Sequence, residues 1–222
     1  MKCNKTFMMV LVIFFLQWPS VTCVAKQEIG SPQEDVEKIT SSLLATFEKN
    51  LDQYKKDDAL FVAEVDRQLS PVVAFGTIAR GVMGKYSRRA RPEQIDRFST
   101  VFKDSLISFY GKALLKLDDT RLTIDKVDPV PEAVLRGYQS GKVRLVPVDM
   151  TIRTSTNTVA ISYSMVYLEG GWKIRNIIVD GINIGIQFRN QFAEAMSKYG
   201  DIQYVVDHWP DIMKGSVMDN KS

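Results

Sequence analysis

The spacing of apolar residues changes at Asp118, and this change limits the folds that the chain can adopt. Before Asp118, apolar residues recur every three or four positions, which is the period of a helix with one buried face. From there to Val179 apolar and polar residues alternate and β-branched types dominate, as in half-buried strands. After Gly185 the helical period returns. Helices, then strands, then helices predict an α+β domain with an antiparallel sheet.

Four helices are predicted before this change. The first begins with Ser31 as N-cap, Pro32 as its first residue and Glu34 as the capping-box partner of the serine. The third contains three glycines, which weaken it. A long fourth helix begins at Pro92. The four are expected over about 31–54, 57–69, 72–86 and 92–117.

Four strands are predicted after the change, over about 121–127, over 141–154 and, as a hairpin, over 157–179. Glu169-Gly170-Gly171 forms the hairpin turn. In the second strand the apolar parity switches beside Pro147, which indicates a bulge or an edge position. Trp172, Ile174 and Ile178 are expected on the buried face of the last strand. The fold class is therefore a four-stranded antiparallel twisted sheet packed against a bundle of helices.

Helices are predicted again after Gly185 and from about Ile202 to Trp209. The chain after Pro210 is predicted to be frayed, and 211–222 is expected to be a disordered tail. The sequence has no repeats, low-complexity tracts or evident linker, so a single domain is expected over 26–210.

The first 25 residues have the layout of a secretory signal peptide. Lys2 and Lys5 precede an apolar run from Phe7 to Leu16, and small residues follow up to Ala25. The run is shorter than the roughly 20 residues that a membrane-spanning helix needs. Acylation of Cys23, as in a lipoprotein, is disfavoured because the Leu and the Gly or Ala typical of such sites do not precede it. An exported, soluble product is expected.

Removal of this segment leaves a chain with little net charge and no cysteine. Both cysteines, Cys3 and Cys23, lie at or before the expected cleavage region, so neither a disulfide nor thiol chemistry is predicted. Loss of Lys2 and Lys5 lowers the formal charge from +3 to +1. This balance argues against nucleic-acid binding.

Few residues in the chain suit catalysis or metal binding. His208 is the single histidine, so a Ser-His-Asp triad and a zinc site of the usual His/Cys type are both disfavoured. Asp149 and Asp180 lie in or at the end of apolar strands. Either carboxylate could act as a general base if it faced an apolar pocket. The alternative, which we favour, is that Asp149 faces solvent and Asp180 caps a turn.

Two further features allow more than one interpretation. The segment from Arg80 to Arg91 carries five basic residues and no acidic one, which fits either a solvated surface or a site for anionic partners or lipid phosphate. Small and flexible residues are mixed into the apolar faces, which suits an acyl-chain cavity and an ordinary filled core equally well. Examples are Gly76, Ala79, Gly81, Met83, Met150 and Met165.

Two groups of residues resemble the MlaC family, also called the toluene-tolerance family. The first group lies in the helical half and consists of Phe75, Gly84, the basic pair after Tyr86, Glu93-Gln94, Phe98, Phe102 and Tyr110. The second consists of Trp172-Lys173-Ile174, Asp180-Gly181-Ile182 and Phe188-Arg189-Asn190-Gln191-Phe192. Phe188 stands where the family more often has Tyr. The resemblance covers about 32–205.

The resemblance implies a periplasmic phospholipid carrier without enzymatic activity. Such a carrier shuttles lipid between an outer-membrane lipoprotein–porin complex and an inner-membrane ABC transporter complex and maintains outer-membrane lipid asymmetry. Bound phospholipid is then its cargo, and no cofactor or metal is expected. The protein is expected to be a monomer, and an apolar cavity is expected between sheet and helices.

Periodicity, rather than the family, selects the residues expected to wall such a cavity. From the helices and the inward face of the sheet these are Phe75, Ile78, Val82, Phe98, Phe102, Val148, Met150, Ile161, Tyr163, Met165, Trp172 and Ile174. Lys85, Arg88, Arg89 and Arg91 are expected to contact partners or the lipid headgroup. Two alternatives remain at this level: a small-molecule enzyme that uses Asp149 or Asp180 as base, and a periplasmic interaction protein with a filled core.

Overall fold

The computed structural model describes residues 29–115 and 122–219. Within these ranges helices precede an antiparallel sheet and helices follow it, which confirms the predicted α+β class. The signal peptide predicted over 1–25 lies outside the described residues. So does 116–121, where the fourth helix was expected to end and the first strand to begin.

The elements are numbered along the chain. The helices are α1 (Pro32–Lys56), α2 (Asp58–Leu69), α3 (Phe75–Met83) with a 3₁₀ turn (Gly84–Arg88), α4 (Pro92–Leu115), α5 (Glu132–Gln139), α6 (Ile184–Tyr199), α7 (Ile202–Asp207) and α8 (Trp209–Asp219). The strands are β1 (Thr123–Val127), β2 (Val146–Arg153), β3 (Thr158–Leu168), β4 (Gly171–Val179) and β5 (Ile182–Asn183).

The strands form one antiparallel sheet in the order β1-β2-β3-β4-β5, one strand more than predicted because β5 adds two residues at the edge. The predicted hairpin turn between β3 and β4 is confirmed. Glu169 and Gly170 have φ of 53° and 80°, the positive values that a two-residue type I′ turn requires. Gly170 takes this backbone without the steric cost that a side chain would add.

A bulge occurs in β4 rather than in β2. The pairing of β2 with β3 is continuous, so the bulge predicted beside Pro147 is wrong, whereas the edge position is confirmed because β1 pairs only with Met150–Arg153. In β4, Arg175 has no partner between the pairs Ile174↔Met165 and Asn176↔Ser164. The extra residue reverses the parity of the strand beyond it. Ile177 and Val179, rather than the predicted Ile178, therefore share the face of Ile174.

The helices predicted from the sequence begin close to the expected residues. The differences from the prediction are helix α5 and the C-terminal segment. Ser31 caps α1, since its Oγ accepts a hydrogen bond from the Glu34 N–H at 3.3 Å. Helix α5 was not predicted. The expectation of a disordered tail over 211–222 is corrected as far as Asp219, because α8 begins at Trp209 and buries Met213. Pro210 is the second residue of this helix, a position where proline is tolerated because no helical N–H is required there.

Three hydrophobic clusters hold the described elements together, and the smallest joins α1, α2 and the end of α4 around Tyr54, Phe61 and Leu115. The helical core joins α3, α4 and α6–α8 around four rings, Phe98, Phe102, Phe192 and Trp209, with centroid separations of 5.0–6.1 Å. The sheet core joins one face of β2–β4 to α1 and α5. Val36 of α1 is completely buried in the sheet core. Helix α1 thus covers the sheet face, and the space beside β4 is left to other helices.

Candidate functional site

The outer edge of β4 is covered in two places by different parts of the chain. Ile174 bonds to the segment before α3: its N–H donates to the Val72 carbonyl at 2.8 Å, and its carbonyl accepts from Ala74 N–H at 2.9 Å. β5 covers Ile178 and Val179. Between these points the Asn176 side chain replaces a strand, since its Oδ1 accepts from the Gly185 N–H at 3.1 Å. This part of the edge therefore pairs with no strand and borders a cavity instead.

An apolar cavity of about 350 Å³, here called the edge cavity, lies between this edge of β4 and helices α2, α3, α4 and α6. Its lining is apolar apart from the side-chain groups of Tyr110, Arg175 and Asn176. The residues that line it are Val65, Leu69, Val73, Phe75, Ile78, Phe102, Leu106, Ile107, Tyr110, Gly111, Ile174, Arg175, Asn176, Ile177, Val179, Ile184, Gly185 and Phe188.

The lining follows from local periodicity. Val65 and Leu69 are four residues apart on α2, and Phe102, Leu106 and Tyr110 form one row along α4, so each row shares a helix face. On β4 the bulge at Arg175 places Ile177 and Val179 beside the cavity. Gly185 permits the close approach of α6 to β4, because a Cβ there would lie 2.4 Å from Asn176 Oδ1.

Four of the twelve predicted wall residues line the edge cavity: Phe75, Ile78, Phe102 and Ile174. The other eight lie elsewhere. Val82 and Phe98 belong to the helical core, and Val148, Met150, Ile161, Tyr163, Met165 and Trp172 belong to the sheet core. All the predicted residues of the sheet face were expected to line the cavity, but of these only Ile174 does so, because α1 and α5 pack on the rest of that face. Contact of these eight residues with lipid stays a prediction.

Two of the sheet-core residues show how closely this face is filled. Tyr163 is 8% exposed, and burial raises the pKa of its phenol to about 12, an effect that a hydrogen bond with Thr40 of α1 partly offsets. Trp172 donates from Nε1 to the Gly30 carbonyl at 2.5 Å, and its ring packs on Tyr138 of α5. Both side chains are thus engaged by helices or by the chain before α1.

Several lining residues were not predicted. Val65 and Leu69 lie on α2, and nothing in the sequence of this helix indicates that its apolar face lines a cavity rather than packs in a filled core. Ile177 and Val179 were missed because the bulge at Arg175 is invisible to a strict two-residue period. A helical row through Phe102, Leu106 and Tyr110 was available in the sequence and would have extended the predicted wall along α4.

The four predicted basic contacts lie away from the edge cavity, around the junction of α3 and α4. Lys85, Arg88, Arg89 and Arg91 are all exposed, and none lines the cavity. Among the described residues, no carboxylate lies within 4.0 Å of these four cationic groups. The Arg91 N–H donates to Gln94 Oε1 at 3.0 Å, which caps the start of α4 and holds the segment in place. The four cationic side chains are therefore available to bind an external anion.

The two candidate carboxylates do not face the edge cavity. Asp149 is exposed on the side of β2 opposite the buried Val148 and Met150. Asp180 lies in the turn between β4 and β5 with φ of 47°, and its Oδ1 accepts a hydrogen bond from Ala160 N–H at 2.9 Å. Asp180 therefore ties this turn to β3, which is a structural role.

Other reactive groups are also remote from the edge cavity. His208 is exposed and stacks on Tyr204 with ring centroids 3.9 Å apart. In the part of the chain that the structure describes, no three His, Cys, Asp or Glu side chains are grouped so that they could hold a metal ion. None of the helices within 29–115 and 122–219 has the length and hydropathy needed to span a bilayer.

An ion pair joins the two helices on one side of the edge cavity. Lys103 of α4 donates to both carboxylate oxygens of Asp66 of α2, at 2.8 and 3.0 Å, and Ser70 donates to the same carboxylate. These hydrogen bonds, with that from Lys103 first, hold the pKa of Asp66 below its ordinary value. The same bond raises the pKa of Lys103. The pair therefore stabilises the α2–α4 contact across neutral pH.

We expect Lys103→Met to lower the free energy of unfolding at pH 7 by about 0.5–1 kcal/mol, because the pair is only partly buried. The folded pKa of Asp66 is depressed, so its contribution is complete above about pH 4, the unfolded value, and disappears as the pH falls through the folded value. Urea unfolding between pH 2 and 7 measures this difference. Lys112→Met, which breaks the more exposed pair with Asp58 on the same helices, is the control and should have a smaller effect. An equal loss for Lys103→Met at pH 2 and pH 7 would contradict the assignment.

Comparison with known proteins places the chain in a family. The model of the MlaC protein family matches residues 37–211, more than half of the chain. The chain belongs to the MlaC family. This confirms the resemblance seen in the sequence. Toluene tolerance protein ttg2D of Pseudomonas putida is 36% identical over 202 residues, which cover 90% of this chain and 87% of that protein.

A solved structure shares the fold of this MlaC family member. It is that of a phospholipid-binding protein from Ralstonia solanacearum in complex with a phospholipid. The two structures align with a TM-score of 0.68 at 23% identity, over 82% of this chain and 97% of the other. The two proteins therefore share the same architecture, in which helices pack against an open antiparallel sheet.

Proposed function

We propose that this protein is a periplasmic phospholipid carrier that shuttles lipid between an outer-membrane lipoprotein–porin complex and an inner-membrane ABC transporter complex, and so maintains outer-membrane lipid asymmetry. The observation that carries the proposal is the edge cavity, an apolar space of about 350 Å³ kept open at the edge of the sheet. Membership in the MlaC family and the phospholipid bound to the Ralstonia solanacearum protein support it.

The chemistry of the cavity suits an acyl chain. Each CH₂ group withdrawn from water contributes about 0.8 kcal/mol, so a chain gains most in a space without polar groups that need hydration. The edge cavity lies near the lower end of the roughly 300–1,000 Å³ of ligand pockets. A two-chain phospholipid therefore requires either separation of the helices that flank the cavity or exit of part of the ligand through its mouth.

The placement of the candidate bases supports a carrier rather than an enzyme. A general base must come within hydrogen-bond reach of the proton that it abstracts. Asp149 is exposed on the opposite side of the sheet from the buried core, and Asp180 is bonded to the backbone of β3. Neither carboxylate lines the edge cavity, where a ligand would bind.

Lipid extraction tests the proposal. Protein purified after export from the bacterium is expected to carry about one phospholipid per chain, measured by organic extraction and mass spectrometry. Cell fractionation should recover it from the periplasm, and light scattering should give the mass of a monomer. Protein that folds normally but carries no lipid, and takes up none from vesicles, would refute the carrier function and favour an interaction protein with a filled core.

The exposed cations Arg88 and Arg89 are proposed to dock on acidic surfaces of the membrane complexes. We expect Arg88→Glu with Arg89→Glu to slow lipid transfer to those complexes about tenfold or more, since reversal of rim charges acts mainly on association rates. Lipid content should stay unchanged. The control, Arg136→Glu with Arg153→Glu, reverses two exposed arginines elsewhere and should not slow transfer. Unchanged transfer by the Arg88/Arg89 variant would contradict the docking assignment.

A further inference from the structure

A second pocket lies next to the edge cavity. This mouth pocket has a volume of about 310 Å³ and lies between α3, β4 and the start of α6. The two spaces share Ile78, Arg175, Asn176 and Gly185 as lining residues, so they adjoin each other along β4. A ligand that fills the edge cavity and emerges at this end would place its next atoms in the mouth pocket.

The mouth pocket differs from the edge cavity in its chemistry because two arginines line it, Arg175 and Arg189. Arg175 is the bulge residue of β4 and is exposed. Arg189, on α6, donates from Nε to the Gly81 carbonyl at 3.0 Å, which fixes its stem against α3. Neither guanidinium lies within 4.0 Å of a carboxylate among the described residues. The terminal N–H groups thus remain available to a ligand.

The remaining polar groups of the mouth pocket also favour an anion. No acidic residue is among the described residues that line it, whereas Thr77, Asn176 and Asn183 are. Asn176 Nδ2 donates to Asn183 Oδ1 at 3.1 Å, and Asn183 Oδ1 accepts from the Ile186 N–H at 3.0 Å. These bonds use the amide oxygens within the protein and leave the Asn183 amide N–H groups as donors. The sixteen-residue helix α6 begins here and adds the positive end of its dipole.

We propose that the mouth pocket binds the phosphate group of an amphipathic ligand whose acyl chain occupies the edge cavity, with Arg175 and Arg189 as the contacting groups. This inference rests on the proposed function and specifies the site within it. Guanidinium groups pair with phosphate oxygens through two parallel N–H donors, so two arginines can hold both free oxygens of a phosphodiester. The headgroup contact is thereby assigned to Arg175 of β4 and Arg189 of α6, and not to the basic residues at the junction of α3 and α4.

A competition between two lipids tests the assignment. Delipidated protein is offered equal amounts of phosphatidylglycerol and a diacylglycerol with the same chains, and the bound ratio is measured by mass spectrometry. We expect the wild type to prefer phosphatidylglycerol and Arg175→Gln with Arg189→Gln to reduce this preference about tenfold or more, with diacylglycerol uptake unchanged. Arg136→Gln with Arg153→Gln, which removes the same charge elsewhere, should leave the ratio as in the wild type.

The outcomes separate this proposal from the carrier function. If the wild type takes up neither lipid, the carrier function fails, and this assignment fails with it. If uptake is normal and the ratio is unchanged in the Arg175/Arg189 variant, the phosphate assignment alone is overturned. It is also overturned if Arg88→Gln with Arg89→Gln abolishes the preference instead. Arg175→Gln alone alters an exposed side chain without an ion pair, and should still reduce the preference about threefold if the double variant does not fold.

Free phosphate is a second source of the same anion chemistry. Calorimetric titration of the delipidated protein with inorganic phosphate is expected to show much weaker binding than with the lipid, because no chain fills the edge cavity. Tight binding of inorganic phosphate that is lost in the Arg175/Arg189 variant, with no preference for phosphatidylglycerol over diacylglycerol, would assign the pocket to free phosphate and overturn the headgroup assignment.

Discussion

Trp209→Ala is expected to lower the free energy of unfolding by about 3–5 kcal/mol, the range measured for large-to-small changes at fully buried aromatic residues. Trp209 is completely buried, and its ring contacts Phe98, Phe102, Phe188 and Phe192 at centroid distances of 5.2–6.4 Å. Removal of the indole leaves a cavity where α4, α6 and α8 meet. The loss is a large part of the roughly 5–15 kcal/mol that stabilises a typical protein.

Trp209→Phe is the matched variant. Among the described residues Trp209 Nε1 has no hydrogen-bond partner, so phenylalanine retains an aromatic ring at this position and loses no hydrogen bond. We expect Trp209→Phe to lower the free energy of unfolding by about 1–1.5 kcal/mol, which is typical of a change of side-chain shape within a packed core. Urea unfolding followed by far-UV circular dichroism measures both variants. A cost below about 1 kcal/mol for Trp209→Ala would mean that α8 contributes little to the helical core.

The same residue shows why the C-terminal helix was not predicted. The chain after Pro210 was predicted to be a frayed tail, although proline is compatible with the first turn of a helix. The sequence alone does not distinguish the two, because the difference depends on whether Trp209 is buried against α4. The start of α1 was predicted correctly, since Ser31 and Pro32 act through local backbone geometry that needs no tertiary partner.

The edge cavity could be predicted only in part for a related reason. Strand alternation identifies residues of one sheet face, but it does not say which helix covers that face. Val148 and Met165 were correctly expected to be buried, but they lie in the part of the sheet core that packs with α1 and do not line the edge cavity. The bulge at Arg175 arises from the pairing of β4 with β3, so its effect on Ile177 requires the partner strand to be known.

Filling the edge cavity is the second change with a large expected effect. Val65→Trp and, separately, Leu106→Trp each place an indole in the space between α2, α4 and β4. Both positions are half-buried and line the cavity, so the added ring can occupy it without displacing a fully packed side chain. We expect each variant to retain its fold and to bind at least tenfold less phospholipid, because the ring removes the volume and apolar surface that an acyl chain needs.

Leu60→Trp provides the control for Val65→Trp, since it introduces the same ring on the same helix at a residue that is 42% exposed and outside the cavity. It should bind lipid as the wild type does. The measurements are lipid per protein chain after incubation with vesicles, and thermal unfolding to confirm the fold. If folded Val65→Trp and Leu106→Trp both retained full lipid, the chains would have to lie elsewhere. The sheet core around Tyr163 and Met165 would then be the remaining candidate, and lipid could reach it only by displacing α1, whose Val36 is completely buried there.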